Sequence, residues 1–375
     1  MASVPEIILN NPFRVLGEYA NSSYREIVAS ISKATKFMEV GRNVDYPLDL
    51  PKVKNLNVKS SLTHSLEDLD NALAVISNSE DRLKYAQFWF LRMTSLDDEA
   101  FDVLFSGKPN LAISVWNKED NLSSLQNRII LYFWKGDFKS ALQNAERLYK
   151  LFPDDFLKVV DSKGTLVKSA NDLIQSFVDT LVSYIIPNEL LDSNPSSFWL
   201  DYIVPTISDD TIAKINKAIQ DAKDQLDILN NDGARGDYGL PKDGIGLILV
   251  ESVENELILL DRIFQHDKDN PRFQLIADNL GNSLANILYE CAIDEYNKRN
   301  VPPDYSIALL YNALELSNNT MDKAEINSKI QLFLKKADKK NVKKKSISDT
   351  AITFIGIGWF ILFFICIVFI IQYCR

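Results

Sequence analysis

The sequence predicts an all-α fold, and three features carry that expectation. Gly and Pro are sparse, at 13 each in 375 residues, so the chain lacks the frequent turns of a many-stranded sandwich. Helix-start signals of the Ser-x-x-Glu or Ser-x-x-Asp type recur ahead of apolar stripes with three- and four-residue spacing. Hydrophobic residues make up 46% of the chain, which argues for a sizeable buried core and against wholesale disorder.

The opening MASVPEIILNNPF has no basic run followed by a long apolar core, so no cleaved secretory leader is expected. A helix should start at Ser23-Tyr24-Arg25-Glu26, where Ser23 can hold an early amide and Glu26 can reach back. Ile27, Ile31, Ala34 and Met38 form its apolar stripe, and Arg42 with Asn43 marks its end. A second helix is marked by Ser65-x-x-Asp68 and the stripe Leu66, Leu69, Leu73 and Ile76, and is stopped by SNSED. A third is expected from about Arg82, carrying the aromatic run Phe88, Trp89 and Phe90.

Further on, two stretches align with an offset of 29 residues, SGKPNLAISVW at 106–116 and KGDFKSALQNA at 135–145. Each places a Gly, Gly107 or Gly136, five residues ahead of an Ala, Ala112 or Ala141, at a turn and the start of a helix. Ala145 continues the small-residue face on which paired helices approach, and Pro153 is expected to stop the second helix. Longer amphipathic helices are expected at about 165–186, 208–230, 245–267 and 271–299, with a Gly-rich loop at 230–244 and a final helical pair before residue 338.

The last segment differs in kind. AITFIGIGWFILFFICIVFIIQY, residues 351–373, has no charge over 23 positions. As a helix it rises about 34 Å, enough to cross a hydrocarbon layer roughly 30 Å thick. Lys339, Lys340, Lys343, Lys344 and Lys345 precede it and only Arg375 carries charge after it. The basic-flank rule then places the N-terminal body in the cytoplasm and makes this a single-pass tail anchor in the bilayer, the inner membrane if the source is bacterial.

Charge and chemistry narrow the function classes. Residues 335–375 carry a balance of +6, which leaves −16, the difference between −10 and +6, on residues 1–334. An acidic body of that kind repels phosphate backbones, and no nucleic acid partner is expected. Cys291, Cys366 and Cys374 form no disulfide framework, which suits a reducing compartment. With only His64 and His266 and one cysteine outside the tail region, a zinc site or a Cys-His nucleophile pair has no material, so no metal, cofactor or catalytic residues are expected. Asp97-Asp98-Glu99 and Asp154-Asp155 fall at helix starts, where carboxylates favour the amide dipole.

Two family resemblances accompany these readings. NPFRVLG at 11–17 and LEDLDNALAVISNSEDRLKYAQF at 66–88 resemble the two halves of a J-domain in the right order, over roughly residues 9–90. The resemblance implies a small helical bundle that stimulates a chaperone ATPase through a His-Pro-Asp tripeptide, and this chain has none. Its connection offers Tyr46, Pro47, Leu48 and Asp49, a stiff proline turn without the histidine. A degenerate J-like module without chaperone stimulation is therefore expected. The stretch from Ser124 to Asp154 resembles a tetratricopeptide repeat, which implies stacked hairpins and a concave peptide-binding face. The whole also resembles bacterial tail-anchored proteins without an assigned activity.

The expected organisation is a J-like module at 1–95, tetratricopeptide-like hairpins at 96–160 and a helical domain at 161–337. A basic linker at 338–350 and a transmembrane anchor at 351–373 complete it. The function expected is that of a non-enzymatic, membrane-tethered scaffold or adaptor for a protein partner. A J-type co-chaperone at the membrane and an enzyme of a class its motifs do not reveal are the alternatives.

Overall fold

The computed structural model describes residues 6–42, 65–161, 164–231, 244–266, 271–299 and 302–340. All regular structure among them is helical, with no strand, as the sparse Gly and Pro and the recurrent capping signals require. The chain divides into two compact units, Met1–Ile207 and Ser208–Arg375.

The first unit opens with two short helices, α1 (Glu6–Leu9) and α2 (Pro12–Leu16). The Asn11 side chain accepts from the Phe13 amide, Pro12 supplies a preset φ, and Gly17 at φ 69° closes α2 in the left-handed region. Next comes α3 (Tyr24–Glu39), with the expected capping box: the Ser23 amide donates to Glu26 Oε2 at 2.7 Å and the Glu26 amide to Ser23 Oγ at 3.3 Å. Ser65 and Asp68 build the same box on α4 (Leu66–Ser77), which packs along α2.

The expected third helix is displaced. It forms as α5 (Ser79–Ala86), three residues earlier than Arg82, because the Asn78 side chain accepts from the amides of Glu80 and Asp81 and starts it there. It ends before the aromatic run, so Phe88, Trp89 and Phe90 lie in non-helical chain. All three are fully buried. Three consecutive side chains on a helix fan through about 200° and bury together only if the helix is surrounded. Outside the helix each ring instead finds its own neighbour. Phe88 stacks on Phe177 at 4.9 Å, Trp89 Nε1 donates to the Glu18 carbonyl at 2.8 Å, and Phe90 meets Phe101 edge-on at 5.6 Å.

Two consecutive helical hairpins follow, α6 (Ser95–Phe105) with α7 (Pro109–Trp116) and α8 (Leu122–Trp134) with α9 (Phe138–Leu151). Gly107 and Gly136 occupy the two turns at φ 79° and 71°, where a Cβ is penalised. Phe152 caps both the end of α9 and the start of α10 (Pro153–Val160), so Pro153 is the first residue of a new helix as well as the stop of the old one. Then come α11 (Ala170–Tyr184), α12 (Pro187–Asp192) and α13 (Ser197–Asn231). α13 begins earlier than expected, runs through Pro205, and crosses the division between the units. The hydrophobic centre of the first unit is α8, buried on every face from Leu122 to Leu131.

The second unit holds the rest of α13, then α14 (Ile245–His266), α15 (Pro271–Asp294), a π-helical turn (Glu295–Arg299), α16 (Pro303–Leu316) and α17 (Thr320–Lys340). α15, α16 and α17 form two successive antiparallel contacts. α15 and α16 approach closely at Gly281, where a Cβ would stand 2.7 Å from the Leu316 carbonyl oxygen. Among the described residues no helix is long and apolar enough to cross a membrane. The stretch 351–373 lies outside the described residues, as do Lys343, Lys344, Lys345 and His64.

Candidate functional site

The central helix of the first unit carries polar residues inward. On α8, Ser123, Gln126 and Asn127 are all buried, and a segment of the chain itself, Ala86–Arg92, lies against them. The amides of Gln87, Phe88 and Trp89 donate back to the carbonyls of Leu83, Tyr85 and Ala86, but beyond α5 the segment joins no strand, so its remaining backbone groups need partners from elsewhere. Side-chain amides provide them. Gln126 Nε2 donates to the carbonyls of Ala86, Gln87 and Trp89 at 3.2, 2.9 and 3.0 Å. Asn127 accepts from the Leu91 amide and donates to the Leu91 carbonyl, both at 2.8 Å. From the other side Asn11 Nδ2 donates to the Tyr85 and Phe88 carbonyls, and the Ala20 amide donates to the Phe90 carbonyl.

Asp97 anchors the far end of this clamp. It stands third in α6, in the helix-start position expected for it, and closes a capping box with Thr94. It is also fully buried. Its Oδ2 accepts from the amides of Met93 and Thr94 at 2.9 Å each and from Ser123 Oγ at 2.8 Å; its Oδ1 accepts from Trp116 Nε1 at 3.0 Å and Asn127 Nδ2 at 3.2 Å. A buried carboxylate surrounded by donors is stable without a cation, because the donors replace its hydration. At the near end Gln87 Nε2 donates to Tyr149 Oη at 2.9 Å and to the Leu173 carbonyl at 2.8 Å. Burial holds the Tyr149 phenol well above its ordinary range, so it stays neutral.

The inner face of the α8–α9 hairpin is thus occupied by the chain's own backbone. An open cleft of about 410 Å³ lies instead along α11. Lys84, Lys168, Asp172, Ser176, Asp179 and Ser183 line it. The Lys84 ammonium sits over the rings of Tyr85 and Tyr184 at 5.8 and 6.0 Å, while Lys168 pairs with Glu80 at 2.9 Å. Asp172 closes the capping box of α11 with Ser169, and those bonds hold its carboxyl below the usual range.

In the second unit Glu295, at the start of the π-helical turn, is a fully buried carboxylate. It accepts from the amides of Ile245 and Gly246 at 2.9 and 3.3 Å and from Tyr305 Oη at 2.6 Å, and so caps the start of α14 from a distant part of the chain. Burial first, and the Glu295 charge second, push the Cys291 thiol far up and leave it protonated.

Of the residues singled out by sequence, Gly107 and Gly136 lie at the turns of the two hairpins with positive φ, Ala112, Ala141 and Ala145 are fully buried, and Pro153 opens α10. Trp116, Phe133, Trp134 and Trp199 are core. Tyr46, Pro47, Leu48 and Asp49 lie outside the described residues, and Lys339 and Lys340 are the last two residues of α17. Among the described residues no group of three or more His, Cys, Asp and Glu is placed to hold a metal ion. The clamp of Asp97, Gln126 and Asn127 escaped the sequence reading. Its one trace there is that SSLQN interrupts an otherwise apolar helix beside an aromatic run with no periodicity of its own. Comparison with protein-family models, curated proteins and solved structures returns no match for this chain.

Proposed function

We propose that this chain is a non-enzymatic scaffold, tethered to a membrane by residues 351–373 with its body in the cytoplasm, that engages a protein partner through the outer surfaces of its helical hairpins. The observation that carries the reading is the clamp. The buried side chains Gln126, Asn127 and Asp97 direct their hydrogen bonds to the chain itself, chiefly its backbone, and so build a rigid platform without presenting reactive groups to a cavity. The finer readings belong to the same proposal. A J-like module at 1–95 is supported by the order of its capped helices, and tetratricopeptide-like hairpins at 96–160 by left-handed glycines 29 residues apart at equivalent turns. With the inner face of α8 filled, the partner surface of such hairpins is the outer one.

Tethering acts through concentration, since a partner held near the bilayer meets other membrane-bound species more often without any new contact. Proximity labelling from the full-length chain tests the reading, with a reproducible set of membrane-adjacent proteins as the expected result. A full-length chain that stays soluble after membranes are pelleted removes the tether. Stimulation of a heat-shock chaperone ATPase that is lost on deleting residues 1–95 replaces the scaffold with the co-chaperone alternative.

A further inference from the structure

We infer that the cleft along α11 recognises an extended peptide segment of mixed charge, an inference that rests on the scaffold reading and adds to the hairpin surfaces a second contact for the partner, outside residues 96–160. α11 turns Leu173, Phe177 and Leu181 inward and leaves Asp172, Ser176, Asp179 and Ser183 along one outer stripe at spacings of four, three and four. Eleven helical rises separate the ends of that stripe, about 16 Å, which matches about five residues of extended peptide at roughly 3.3 Å each.

The two walls carry opposite charge. On one, the Lys84 ammonium rests on two tyrosine rings and has no carboxylate partner among the described residues, whereas Lys168 is already paired with Glu80. On the other, the Asp179 side chain accepts a single side-chain bond, from Gln175 Nε2 at 2.7 Å, and keeps acceptor capacity on its carboxylate. A wholly acidic segment is repelled by Asp172 and Asp179, and a wholly basic one by Lys84 and Lys168. A segment with one acidic side chain for Lys84 and one basic side chain for Asp179 satisfies both walls. The floor is preformed, because Ser176 Oγ donates to Gln87 Oε1 at 3.2 Å and Gln87 is itself held by Tyr149 and the Leu173 carbonyl.

The test is a positional-scanning hexapeptide library read by fluorescence anisotropy against the full-length chain in detergent micelles. The expected selection is one acidic and one basic residue at separated positions. Affinity for the consensus peptide should fall about tenfold in Lys84→Gln and in Asp179→Asn, and stay within about threefold in Lys84→Arg. Circular dichroism of each variant checks that the helices persist. No charge preference, or a preference unmoved by these substitutions, overturns the inference. Failure here is separable from failure of the scaffold reading. Equal proximity labelling by the wild type and the Lys84→Gln/Asp179→Asn chain overturns the cleft alone, while a wild-type chain that labels no partner overturns the scaffold even if the peptide preference is found.

Discussion

Asn127 pairs with Leu91 as one strand pairs with another: its side-chain oxygen takes the Leu91 amide and its side-chain nitrogen serves the Leu91 carbonyl, each at 2.8 Å. The residues are 36 apart in sequence, and both ends of the pair are buried. One planar amide thereby does for Leu91, which belongs to no sheet, what a neighbouring backbone does in one.

Replacing that amide should be costly. Asn127→Ala strands a buried amide and a buried carbonyl and is expected to lower stability by about 2–4 kcal/mol. Asn127→Asp retains the shape, loses the donor, and sets a second carboxylate beside Asp97, so it should be at least as damaging. Urea denaturation followed by far-ultraviolet circular dichroism reads both, and a change under about 0.5 kcal/mol in either would show that the pairing contributes little.

Asp97→Ala removes the acceptor for six buried or half-buried donors, including Trp116 Nε1 and Asn127 Nδ2. The expected loss is about 3–5 kcal/mol, because several buried neutral donors are left unsatisfied at about 1–3 kcal/mol each and part of that cost is relieved by relaxation. Because the Trp116 indole N–H then loses its acceptor, its fluorescence should shift together with the unfolding midpoint. A stability loss without any spectral change would place the damage elsewhere than at this contact.

Gly107 sits at φ 79° with open space where a Cβ would be. Gly107→Ala therefore isolates the backbone term, expected at about 1 kcal/mol, and Gly107→Asn should cost less because Asn tolerates the left-handed region. Thermal melts ordered glycine, asparagine, alanine from most to least stable would bear this out.

In the second unit, Gly246→Ala has the opposite cause. Its Cβ would fall 2.5 Å from Leu309 Cδ1 and 3.1 Å from Cys291 Cβ, so overpacking of about 1–3 kcal/mol is expected. The paired change Gly246→Ala with Leu309→Ala should recover part of the loss relative to Leu309→Ala alone, and a double-mutant cycle with no coupling would refute the contact as the cause.

Glu315 supplies a pH dependence with a definite sign. Burial alone pushes its half-buried carboxyl up from 4.5 to about 7, and its Oε2 meets no hydrogen-bond partner. Between those pH values the folded chain keeps a proton that the unfolded chain has lost, so stability falls as pH rises from 4.5 toward 7. After discounting for the solvent-exposed half of the group, the expected drop is about 1–2 kcal/mol. Glu315→Gln should flatten that part of the profile, measured by urea denaturation at pH 5 and pH 7.5. Identical slopes in wild type and variant would remove Glu315 as the source.

What the sequence made legible is the local chemistry. Ser23, Ser65 and the turn glycines announce themselves through bonds to residues two to four positions away, and those bonds depend on little else in the fold. The clamp was hidden for the opposite reason. Gln126 and Asn127 are polar residues on a helix, a pattern that ordinarily marks a solvent face, and their burial is decided by a segment 36 to 40 residues upstream. The aromatic run reads as helical in the sequence because its hydrophobicity is local while the partners that hold it out of a helix are not. Lys84 and Asp179 face one cleft from helices far apart in sequence, and no spacing rule connects them.

The clamp also sets an order of events during synthesis. Phe88-Trp89-Phe90-Leu91 is translated before the helix that receives it, with Asn127 following 36 residues later. Until α8 emerges, the nascent chain carries four consecutive large apolar side chains beside a Leu91 amide and several carbonyls that lack their partners, a combination that favours intermolecular β-pairing. A pause that leaves this run outside the ribosome while α8 is still inside it lengthens that exposure, so the tempo of translation governs how much chain reaches the folded state.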